Sequence, residues 1–85
     1  MKSEQRLAID RRFLQAYLNL YAEEKVTNKR DFCKAVGLLP TNFSIIKKGG
    51  LSCTVENIYR LATKFGVSLD WLFFGKGDFY GNSAV

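Results

Sequence analysis

Residues 28–49 read Asn28-Lys29-Arg30-Asp31-Phe32-Cys33-Lys34-Ala35-Val36-Gly37-Leu38-Leu39-Pro40-Thr41-Asn42-Phe43-Ser44-Ile45-Ile46-Lys47-Lys48-Gly49. They spell two short helices and the turn between them. Asn28 is a natural N-cap, because its side-chain oxygen can accept one of the first free amides of a helix. The spacing predicts that helix over 29–36. Phe32 and Val36 stand four apart and face inward, with Cys33 beside them as a small buried hydrophobe. Gly37 suits the left-handed residue that follows a helix. Leu38 and Leu39 make the turn, and Pro40 takes the first position of the next helix, where a missing N–H costs nothing. That helix runs over 40–48 and stops at Gly49-Gly50. Phe43 and Ile46, three apart, face the core. Thr41, Asn42, Ser44, Ile45 and Lys48 are left pointing outward.

Working outward, the segment 3–24 reads as one long helix. Ser3 caps it and Glu4 sits in its first turn, where a negative charge suits the helix dipole. Leu7, Leu14, Leu18 and Tyr21, with Phe13, Tyr17 and Leu20 beside them, recur at helical spacing and are expected to face the core. Residues 25–28 form a connection. Thr54 caps a helix over 55–65 with Ile58, Leu61, Ala62 and Phe65 as its buried stripe; Cys53 and Ile58 can form a hydrophobic staple. Ser68 caps a last helix over 69–74, which Gly75 stops. No stretch alternates as a strand does. The expectation is an all-α, compact five-helix bundle with helices near 3–24, 29–36, 40–48, 55–65 and 69–74. It forms one domain over 1–80, with a flexible tail over 81–85.

Composition narrows the chemistry. The chain has 85 residues and no His, which removes imidazole acid–base catalysis, His metal ligands and His-activated nucleophiles together. Cys33 and Cys53 are too few for a four-thiolate metal site or a disulfide-stapled domain. No apolar run approaches the roughly 20 residues of a membrane span, and Met1 to Arg6 lack a signal-peptide pattern. The expected protein is cytoplasmic and not an enzyme, with no metal, no cofactor, no membrane association and no evident small-molecule ligand.

The net charge of +5 is localised. Residues 1–24 and 49–85 are each neutral. Residues 25–48 carry Lys25, Lys29, Arg30, Lys34, Lys47 and Lys48 against Asp31 alone, which accounts for the whole excess. A local surplus of cations suits a polyanion, because each phosphate neutralised releases condensed counterions. It also fits a merely solvated face.

Two short helices joined by a tight Gly-containing turn, the second displaying small polar residues, describe a helix-turn-helix. Residues 28–49 resemble that unit of the Cro/C-repressor family of phage and bacterial transcriptional regulators. The resemblance continues through Leu61-Ala62-Thr63-Lys64-Phe65-Gly66-Val67-Ser68-Leu69-Asp70-Trp71-Leu72-Phe73-Phe74-Gly75, which is similar to the family's closing segment. It covers roughly residues 10–80. It implies a lambda-repressor-like fold and sequence-specific binding of double-stranded DNA, repression being the commoner family outcome. Carried over by position, Pro40, Thr41, Ser44 and Ile45 would face base edges; Asn42 joins them if the rotation of the helix turns it into the groove, the alternative being a local cap or a solvated position. Lys25, Lys29, Arg30, Lys47 and Lys48 would hold phosphates. The chain departs from the family where Pro40 replaces a common Gln, Leu39 a Ser-type cap and Lys47 a frequent acidic residue. Thr41, Asn42 and Ser44 remain as hydrogen-bonding readers, and Ile45 can touch a thymine methyl.

Such a mechanism works through a homodimer that spans two half-sites. Trp71, Phe73, Phe74, Phe79 and Tyr80 gather five of the chain's twelve aromatic residues into ten positions, next to Leu72. A six-residue helix cannot bury them all against so small a core, so they mark an expected dimer interface; the alternative is that these rings complete the core of a monomer. The alternative reading is a protein-interaction module, such as an antitoxin or adaptor, that keeps the fold without specific DNA binding. It predicts a neutral or acidic recognition face, which the cation-rich window opposes.

Overall fold

A computed structural model describes residues 2–81. Its five helices are α1 (Glu4–Ala22), α2 (Lys29–Val36), α3 (Pro40–Lys48), α4 (Val55–Phe65) and α5 (Leu69–Phe74). Among the described residues there is no strand, only a single antiparallel bridge between Val67 and Tyr80. Of the tail expected over 81–85, residues 82–85 lie outside the described residues.

Four helices begin on a side-chain oxygen. Ser3, Asn28, Thr54 and Ser68 accept the amides of Arg6, Asp31, Asn57 and Trp71, which satisfies one otherwise orphaned donor each. Helix α3 is the exception. Its N-cap, Leu39, offers no side-chain acceptor, and Pro40 at the first position has no N–H to satisfy.

Helix α1 ends two residues before the expected boundary. Glu23 is its C-cap, and Glu24 adopts φ 61°, the only non-glycine residue with positive φ among those described. The Glu24 amide donates to the Tyr21 carbonyl (3.0 Å) and the Lys25 amide to the Leu20 carbonyl (2.9 Å). This is a Schellman closure built on a glutamate. It reverses the chain so that Val26 reaches the core. The buried line of α1 also differs from the expected stripe. Asp10, Phe13, Ala16 and Leu20 are buried, while Leu18 and Tyr21 are 53% and 52% exposed. The period is helical as expected, but the buried face is rotated from the predicted one.

Helix α2 packs against α4, α1 against α5, and α3 against both α1 and α2. Phe13, Leu20, Phe32, Val36, Phe43, Ile46, Leu61 and Leu72 form the centre of the core. Tyr17, Phe32 and Phe43 meet one another with ring centroids 5.3–6.0 Å apart in edge-on geometry, a favoured arrangement for aromatic quadrupoles. These rings join α1, α2 and α3 into one body. The radius of gyration, 11.9 Å, matches the value of about 12 Å for a folded domain of this length.

Candidate nucleic-acid interface

The geometry of the α2–turn–α3 unit starts at Gly37. Its φ is 74°, and the amide of Leu38 donates to the Cys33 carbonyl at 2.8 Å. A side chain there would be strained by the backbone and would meet the Arg60 side chain 3.3 Å away. Cys33 is fully buried, and burial pushes its thiol pKa up against a smaller opposing effect of Lys29. It acts as a small packing residue.

Asn57 locks this unit to α4. Its side chain accepts from the Thr54 amide (2.9 Å), and its own amide donates to Thr54 Oγ1 (3.1 Å), a reciprocal capping box. Its Nδ2 group donates to the Val36 carbonyl (2.9 Å) and approaches the Gly37 carbonyl (3.4 Å). The last carbonyls of α2 are thereby satisfied from another helix. The Thr-x-x-Asn spacing was the available signal for this residue.

A second anchor fixes the chain after α3. Asp10, buried on α1, accepts from Lys2 Nζ (2.8 Å) and from the Cys53 amide (3.0 Å). Lys2 also donates to the Leu51 carbonyl, and Arg6 donates to the Cys53 carbonyl at 2.7 Å. Burial raises the Asp10 pKa, but hydrogen bonds from Lys2, Cys53 and Ser52 outweigh it, so the carboxyl sits below its ordinary value. Burial and then Asp10 push the Cys53 thiol up to about 12. Among the described residues every buried side-chain nitrogen or oxygen has a hydrogen-bond partner.

With both ends held, α3 buries Phe43 and Ile46 and turns its other side out. Pro40, Thr41, Ile45, Lys47 and Lys48 are exposed; Asn42 and Ser44 are half-buried. By helical position Asn42 lies closer than Ser44 to the buried side marked by Phe43 and Ile46, so it sits on the shoulder of the helix. The outermost line is Thr41, Ser44, Ile45 and Lys48. Gly50 backs Ile45, since a side chain there would stand 2.8 Å from Ile45 Cγ2.

The cations divide into two groups. Lys2, Arg6 and Arg12 are committed to the fold, Arg12 donating to the Leu72 carbonyl at 3.0 Å. Arg60 pairs with Glu56 on α4 at 2.8 Å. By contrast, Lys29, Arg30, Lys34, Lys47 and Lys48 are exposed, as are Arg11 on α1, Lys64 on α4 and Lys76 after α5, and among the described residues none of these forms an ion pair. Asp31, the one acid of the window, accepts from the Thr27 amide (3.0 Å) and hydroxyl (3.3 Å). Lys25 lies elsewhere, 4.8 Å from the centre of the Tyr80 ring.

The aromatic residues of the C-terminal third also divide. Trp71 and Phe79 are part-buried against the core and meet edge-on at 4.8 Å. Tyr80 donates to Glu23 at 2.9 Å; burial and that carboxylate push its phenol up to about 12. Phe73 and Phe74, 39% and 67% exposed, face outward together with Leu69. Among the described residues no helix is long and apolar enough to cross a membrane, and no cluster of His, Cys, Asp and Glu could hold a metal ion.

No family model, no curated protein and no solved structure matches this chain at a significant level.

Proposed function

We propose that the chain is a sequence-specific double-stranded DNA-binding protein of the Cro/C-repressor type, acting as a transcriptional repressor by occupying an operator. The observation that carries this reading is the outer face of α3. Thr41, Ser44, Ile45 and Lys48 project together from a helix anchored at both ends, and Lys29, Arg30, Lys34 and Lys47 of the same two-helix unit are exposed without an ion pair. A helix of nine residues fits the major groove end-on or lengthwise. Thr41 and Ser44 supply hydrogen bonds to base edges, Ile45 supplies contact with a thymine methyl, and Asn42 and Pro40 flank them. Lys29, Arg30, Lys47 and Lys48 hold phosphates and set the register; Lys25 contributes from the edge. A homodimer joined through Leu69, Phe73 and Phe74 presents two copies of α3 to successive grooves, about 34 Å apart. A domain of 34 × 27 × 21 Å is compatible with that spacing.

Selection of bound sites from random duplex DNA tests the reading. The expected result is a roughly palindromic motif with half-sites one helical turn apart. A chain that binds no duplex of any sequence, even at low salt, refutes it.

A further inference from the structure

A groove of about 120 Å³ runs between α1 and α3, lined by Leu14, Tyr17, Leu18, Lys29, Phe43 and Lys47. We propose that it binds a small aromatic carboxylate of the benzoate class. The floor is aromatic and rigid: the Tyr17 and Phe43 rings stand edge-on at 5.4 Å, and both also pack on Phe32. Leu18, half-exposed at the mouth, gives an apolar wall that the fold itself does not cover.

Two ammonium groups border this floor. Lys29 Nζ lies 5.6 Å from the centre of the Phe43 ring, so its charge is held over the groove. Lys47 follows Phe43 by one helical turn and shares its side of α3. Among the described residues neither has a carboxylate partner. Asp31, close in sequence to Lys29, is turned to Thr27 instead.

An apolar aromatic slot lined by two lysines that lack a carboxylate partner has a definite complement. The occupant is flat, apolar over one ring and anionic at one end. At about 120 Å³ the groove is smaller than the roughly 150 Å³ cavity that encloses one benzene ring, so the ring enters by one face and its carboxylate end stays at the open mouth. A short aliphatic anion leaves the floor uncovered. A neutral ring leaves the lysines without charge-assisted bonds. Ligand binding stands apart from the DNA reading. Its consequence rests on that reading, since the carboxylate neutralises Lys29 and Lys47, two of the proposed phosphate contacts. The ligand is then an effector that releases DNA.

Amide chemical shifts of the full chain, titrated with sodium benzoate at constant ionic strength, test the site. The expected result is saturable shifts at Leu18, Lys29, Phe43 and Lys47, with a Kd on the order of 1 mM. Benzamide and acetate bind at least tenfold more weakly. Leu18→Glu, which places an anion at the mouth, abolishes benzoate binding while the helical signal is retained. Lys47→Met weakens benzoate tenfold and leaves benzamide unchanged. Shifts that do not saturate, that map elsewhere, or that are equal for benzoate and benzamide overturn the proposal. In a second arm, benzoate at ten times its Kd weakens binding to a selected operator about tenfold per protomer, and so about a hundredfold for the dimer. Unchanged operator affinity at saturating benzoate overturns the effector role. Benzoate binding by a chain that binds no DNA upholds the site and refutes the DNA reading alone.

Discussion

Asn57 satisfies two places at once: the start of α4 and the end of α2. Replacing it with Ala removes a cap and leaves the buried Val36 carbonyl without its donor. The expected cost is about 2–3 kcal/mol, read as a lower midpoint in urea denaturation; a loss below about 0.5 kcal/mol would show that Asn57 is not a joint. Asp10 makes a pH prediction. Its folded pKa lies below the ordinary 3.8, so its contribution is fully present above the unfolded value and is lost as pH falls through the folded one. Asp10→Asn keeps an acceptor for Cys53 but turns an amide toward Lys2. It should destabilise by about 2 kcal/mol at pH 7, and the gap from wild type should narrow below about pH 4. A gap that is constant with pH disproves the assignment. Neither role was fully legible in the sequence. Thr54 announced a cap, whereas Asp10 was one acid among the polar positions of a long helix.

At the level of elements, helix starts were readable because their determinants are local. Ser3, Asn28, Thr54 and Ser68 lie within three residues of the amides they accept. Gly37, Gly49, Gly66 and Gly75 marked four helix ends in the same way. The end of α1 was not readable, because a glutamate does the work usually given to glycine. Glu24 carries a side chain into the left-handed region, which costs roughly 1 kcal/mol. Glu24→Gly is therefore expected to stabilise the fold by about 0.5–1 kcal/mol, measured as a higher melting temperature. A lower melting temperature would mean that Glu24 holds α1 by some other contact.

For the whole molecule, the proposal of a dimer on DNA makes quantitative claims. Five phosphate contacts per protomer, ten per dimer, give a slope of about −9 in log affinity against log salt. Lys48→Ala, removed from both protomers, should reduce that slope by about 2 and weaken binding to all sequences alike. A reduction of about 1 would indicate a monomer on the DNA, and no change would remove Lys48 from the contact set. Phe74→Glu places a charge on the most exposed ring of the α5 patch. It should convert a dimer to a monomer in sedimentation with the helical signal intact. A wild-type chain that sediments as a monomer at high concentration refutes the interface. Of the aromatic residues gathered near the C-terminus, only the fold distinguishes Phe73 and Phe74 on the surface from Trp71 and Phe79, which pack against the core.

The sequence by itself determined the five helices, the turn between α2 and α3, the inward pair Phe43 and Ile46, and the position of the charge excess. Each follows from caps, glycines and spacings within a few residues, where backbone hydrogen bonding is decided. Tertiary structure decided which side of α1 is buried, that Asn42 sits on the shoulder of α3, and which cations remain unpaired. Lys2, Arg6 and Arg12 are bound to carbonyls 49, 47 and 60 residues away. No local pattern encodes such partners, because they meet only when packing of the core brings distant backbone within reach of a side chain.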